Sequence, residues 1–125
     1  MKTVLIAGAL ALSVGTAALA ASFDNGEWVL ARVPGIDYWF PGVVQGADAG
    51  FVRVVFDDGE VQTLPVSQVR AYDWDVGSKV ECRYKGGAEW YGGTVTQAGA
   101  DGESLHILYD DGDRERTMTK RCRSR

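Results

Sequence analysis

Gly26-Glu27-Trp28-Val29-Leu30-Ala31-Arg32 (residues 26–32) returns 51 positions later as Gly77-Ser78-Lys79-Val80-Glu81-Cys82-Arg83 (residues 77–83), with Gly, Val and Arg in register. The register holds beyond this stretch: Trp39 falls on Trp90, Phe40 on Tyr91, Gly42 on Gly93 and Val44 on Val95. The match then resumes at an offset of 53, Phe56-Asp57-Asp58-Gly59 against Tyr109-Asp110-Asp111-Gly112. Two residues are therefore inserted in the second copy, and an insertion of that kind belongs in a loop. The chain after its first two dozen residues reads as two copies of one unit of about 45 residues.

Within each unit the hydrophobic period is two. Val29, Ala31 and Val33 alternate with Trp28, Leu30 and Arg32, and Val52, Val54 and Phe56 alternate with Phe51, Arg53 and Val55. The second copy keeps the phase through Val80, Cys82 and Tyr84, then Leu105, Ile107 and Tyr109. Such alternation marks strands with one face in a core. Asp58-Gly59 and Asp111-Gly112 sit between strand runs, as in tight hairpins whose central residues take positive φ. No helical pattern runs through either copy, so the fold class is all-β.

A Gly-x-x-Val opening strand, an aromatic pair leading into Pro/Gly-Gly-x-Val, and an apolar strand ending in aromatic-Asp-Asp-Gly resemble the Tudor and Agenet group of SH3-like barrels. The resemblance covers both copies, residues 24–70 and 77–123. It implies two tandem, small, five-stranded, strongly bent barrels that bind peptides or modified side chains. In such barrels the last short strand returns beside the first, which implies that Cys82 and Cys122, aligned with Ala31 and Val69 of the first copy, are neighbours. An exported protein is expected to oxidise such a pair; two buried free thiols are the alternative. Tyr72 and Trp74, in the short connection at 70–76, are expected to pack between the barrels, an exposed linker being the alternative.

The N-terminal segment carries a different signal. Lys2, the apolar run Val4 to Leu12 and the small residues Ala18 and Ala20 have the form of a secretory signal peptide at 1–20, with the mature chain beginning at Ala21. The competing reading is an uncleaved membrane anchor, although Ala and Gly dominate where a spanning helix sustains Leu, Ile and Phe. Cleavage implies a periplasmic or secreted protein with no transmembrane segment.

Net charge is -4 for the whole chain. Removing Lys2 with the leader leaves 12 basic against 17 acidic side chains, a balance that does not point to a dedicated nucleic-acid binder. Charge is unevenly spread, with 9 acidic and 3 basic residues from Asp24 to Asp75 but 8 acidic and 9 basic from Val76 to Arg125.

Nothing in the residues points to catalysis or a cofactor. The single histidine, His106, falls on the outward phase of its strand, and no spacing sets it beside a serine and an orienting acid. Two cysteines and one histidine without metal-ligand spacing make no zinc site. Asp57-Asp58 and Asp110-Asp111 could serve as paired carboxylates, but Asp before Gly is also what a hairpin turn prefers for backbone reasons.

The aromatic residues carry the functional expectation. The Tudor resemblance implies a cage for methylated side chains built, in the second copy, from Tyr84, Tyr91, Tyr109 and Asp113, with Trp90 adjoining. The first copy supplies a weaker set, Phe40, Phe56 and Glu60 with Trp39 adjoining, because Val33 stands where the second copy has Tyr84. These tyrosines also fit an inward, core-packed phase, in which case each buried hydroxyl needs a partner. Arg114, Arg116, Lys120, Arg121, Arg123 and Arg125 form a basic end that either holds an anionic polymer or envelope surface or is a solvated edge. The leading expectation is a non-catalytic exported binding module for a protein or peptide ligand with a cationic or methylated side chain. An anionic-surface adaptor and a purely structural subunit are the alternatives.

Overall fold

The computed structural model describes residues 22–125; the leader expected at 1–20 lies outside the described residues. Ten strands run in chain order: β1 Trp28–Ala31, β2 Phe40–Asp48, β3 Phe51–Phe56, β4 Val61–Pro65, β5 Val69–Ala71, β6 Lys79–Cys82, β7 Tyr91–Ala98, β8 Ser104–Tyr109, β9 Arg114–Met118 and β10 Cys122–Arg123. They form two five-stranded antiparallel sheets, β4-β3-β2-β1-β5 and β10-β6-β7-β8-β9. The connectivity is the same in both, since the last short strand pairs with the first in each unit, Ala31 opposite Val69 and Cys82 opposite Cys122. Cys82 and Cys122 are joined in a disulfide.

The alternation accounts for the cores. Val29, Ala31, Val44, Val52, Val54, Phe56, Leu64 and Val69 are buried together in the first unit, while Val80, Cys82, Val95, Leu105, Ile107, Tyr109 and Cys122 are buried in the second. Each second strand shifts register once, between Val44 and Gly46 and between Val95 and Gln97. This bulge recurs at equivalent positions and bends the strand.

Gly42 and Gly93, matched in the repeat, are needed for close approach. A Cβ on Gly93 would lie 2.8 Å from Ile107 Cγ2 and 2.9 Å from the Leu108 carbonyl oxygen.

The Asp-Gly turns differ from the expected hairpin. Only the glycines have positive φ, 98° at Gly59 and 96° at Gly112, while the aspartates do not. The Gly59 N–H donates to the Phe56 carbonyl and the Phe56 N–H to the Glu60 carbonyl. Two extra residues thus precede a single left-handed glycine, the longer hairpin form in place of the two-residue one. Asp58 and Asp111 each accept the N–H two residues on, from Glu60 and Asp113, the Asx turn that explains aspartate here.

The two units are joined by a dense junction. Trp39 and Ser124 form an antiparallel bridge. Buried Trp74 packs in the second unit's core and donates its indole N–H to Ser124 Oγ at 3.1 Å. The Thr119 hydroxyl donates to Asp57 Oδ2 at 2.6 Å, and Trp28, Tyr72 and Trp74 meet ring to ring. Leu30, on the outward phase of β1, is nevertheless fully buried because it joins the second unit's cluster beside Trp74. The insertion of the second copy falls in the β7–β8 turn. There Gly102, at φ 76°, lies so close to Trp28 that a Cβ would collide with the indole.

Candidate functional site

In the second unit a cleft of about 170 Å³ is lined by Tyr84, Tyr91, Tyr109, Asp111 and Asp113. Four of these were expected from the sequence; Asp111 was not, because its turn role masked it. Tyr109 ends β8, Tyr91 opens β7, and Tyr84 begins a short 3-10 turn, so two strand ends and a turn deliver three rings to one place. Tyr84 and Tyr109 meet edge to face with centroids 5.7 Å apart.

The rings are neither wholly core nor wholly surface. Tyr109 is buried, Tyr84 half-buried and Tyr91 47% exposed. The Tyr109 hydroxyl donates to Glu115 Oε1 at 2.6 Å, while Glu115 Oε2 accepts the Lys85 N–H at 2.7 Å. Burial, and secondarily the Glu115 carboxylate, push the Tyr109 phenol well above its ordinary range. Glu115 therefore fixes both the inner ring and the turn that carries Tyr84, a role with no local signature in the sequence. The Lys85 ammonium stands 5.4 Å from the Tyr84 centroid.

The first unit has a counterpart cleft of about 270 Å³, where Val33, Ile36, Phe40 and Phe56 supply an apolar wall and Asp57, Asp58 and Glu60 an acidic rim. Ile36 was not anticipated. Lys120 reaches this cleft from the second unit.

Trp39 and Trp90, expected to adjoin the cages, line neither cleft. They lie at the junction, where Phe40 meets Trp90 at 6.2 Å. Arg32 and Arg70 lie over Trp39 at 4.8 and 4.2 Å, and Arg83 and Arg123 over Trp90 at 5.5 and 4.1 Å. The six residues expected to form one basic end are dispersed. Arg114 and Arg116 edge a shallow hollow beside His106, Lys120 faces the first unit's cleft, and the Arg121 guanidinium lies against Gly86. Arg123 and Arg125 stack on Tyr38.

A third cleft, of about 190 Å³, opens between the units, with Trp28, Tyr72, Asp57 and Asp101 on its walls. Burial first, then Asp57, push the Tyr72 phenol up to about 12. Backbone N–H groups of Glu103 and Ser104 hold the Asp101 carboxyl down at about 2. Comparison with protein-family models and with characterised proteins finds no match to this chain.

Proposed function

We propose that the chain is a Tudor-like binding module whose two sheets close as small SH3-like barrels, and that the second unit receives a cationic, methylated side chain of a peptide or protein. One observation carries the reading: Tyr84, Tyr91 and Tyr109 converge on a single cleft edged by the carboxylates of Asp111 and Asp113. Ring faces attract a weakly hydrated cation by about 0.5–2 kcal/mol each, and an adjacent carboxylate adds directed charge. The Lys85 ammonium beside Tyr84 supports the same chemistry within the chain. The first unit's cleft is the poorer cation site, because aliphatic Val33 and Ile36 replace a ring.

The test is an NMR titration with trimethyl-lysine, dimethyl-arginine and choline, comparing wild type with Tyr91→Ala. Half-exposed Tyr91 carries little of the core, so the variant should fold. The expected result is shifts confined to the second cleft, at high-micromolar to millimolar ligand, and lost in the variant; silence of all three tyrosines at millimolar cation would overturn the reading.

A further inference from the structure

The repeat retains more than its strands need. Arg32 and Arg83 are equivalent at an offset of 51, and Arg70 and Arg123 at 53, so that Arg32 and Arg70 flank Trp39 as Arg83 and Arg123 flank Trp90. The junction then fuses the two arginine–tryptophan–arginine groups. Ser124 is bridged to Trp39, and its neighbours Arg123 and Arg125 lie 3.6 and 4.6 Å from the Tyr38 centroid. Five guanidiniums thus gather on one face of a chain with net charge -4. Composition does not produce that gathering; the fold does.

These charges are poorly neutralised. Among the described residues the one ion pair is Arg123 with Glu81, at 2.9 Å. Arg32 donates to the neutral amide of Gln68 and Arg125 to the Tyr38 hydroxyl. The Nε atoms of Arg70 and Arg83 are buried and have no acceptor among the described residues. Arg70 and Arg83 thus have no ion-pair partner among the described residues, and their charge adds to a like-charged face that an external anion would neutralise. Stacking on indole and phenol rings holds the planar guanidiniums and leaves their N–H edges for an oxyanion.

We propose that this face binds phosphate groups carried on a polyanionic chain. It is a second surface, independent of the tyrosine cleft. The aromatic faces are occupied by guanidiniums, so base stacking of the kind that single-stranded nucleic acids use has little ring surface left. That favours a phosphate chain without bases.

The experiment follows tryptophan fluorescence of the full chain during titration with inorganic polyphosphate at several NaCl concentrations. Saturable binding that weakens steeply with salt is expected. Arg70→Gln and Arg83→Gln should each weaken it about tenfold, the worth of one charge-assisted hydrogen bond. A double Arg114→Gln, Arg116→Gln variant, changed on β9 away from this face, should bind as wild type. Arg125→Gln, at an exposed position, serves if the half-buried arginine variants fail to fold. The proposal is overturned by absence of binding at millimolar phosphate, by equal loss in the β9 variant, or by tighter binding of poly-glutamate or a single-stranded oligonucleotide at matched charge.

Discussion

Trp39 and Ser124 exchange both backbone hydrogen bonds, at 2.7 and 3.0 Å, across 85 residues of sequence. The pair ties the approach to β2 in the first sheet to the residue following β10 in the second. The Ser124 hydroxyl also takes the indole proton of Trp74, so one serine holds both the connecting segment and the opposite unit.

Ser124→Ala leaves the buried Trp74 N–H without an acceptor and should cost about 1–3 kcal/mol. Trp74→Ala, which also empties a core position, should cost about 3–5 kcal/mol. Urea unfolding followed by circular dichroism measures both, and a Ser124→Ala variant as stable as wild type would show that the hydrogen bond is irrelevant beside packing.

Removing the Cys82–Cys122 disulfide by Cys82→Ala with Cys122→Val copies the Ala31–Val69 pair of the first sheet. Size and polarity at the site are then ones this fold already accommodates, so the variant should fold. It should lose about 4 kcal/mol, from release of the loop in the unfolded chain. Alkylation of unfolded, unreduced wild type should add no label.

Gly93→Ala should be worse tolerated than Gly112→Ala. The first drives a methyl to within 3 Å of Ile107 and of the Leu108 backbone, and overpacking of this kind costs about 1–3 kcal/mol. Gly112 has open space around it and only its φ of 96° to defend, a cost of about 1–2 kcal/mol. Thermal midpoints of the two variants give the order.

Alkaline pH should destabilise the protein. Tyr72 and Tyr109 have folded-state values raised above the unfolded phenol. Above pH 10 the unfolded chain loses protons that the folded chain keeps, so stability is full below that point and falls as pH rises through the folded values. Ultraviolet titration should show these two tyrosines ionising last, and Tyr109→Phe should flatten part of the stability loss.

The strand phases and the common plan of the two copies were legible because each depends on spacing within one unit, while the set Tyr84, Tyr91, Tyr109 and Asp113, which share one cleft, came from the Tudor resemblance. What depends on the contact between units was not. Leu30 reads as outward and is outward from its own sheet, yet it is covered by Trp74. Its equivalent Glu81 stays at the surface, paired with Arg123. Alternation reports which face of a strand is apolar and cannot report what lands on the other face. Trp90 was misplaced for the same reason: its partner Phe40 lies in the other copy. The arginine face was hidden because Arg32 and Arg70 sit in the acidic half of the sequence.

The junction also sets a timetable for synthesis. The first sheet is complete once Ala71 has left the ribosome, but Ser124 and Arg125 follow 53 and 54 residues later, about 3–10 s at ordinary elongation rates. During that interval Leu30 lacks the second-unit residues of its cluster and the Trp39 backbone lacks its partner. A nascent or prematurely terminated chain therefore presents a sticky strand face, and quality-control factors that bind exposed apolar surface would meet it before the protein is whole.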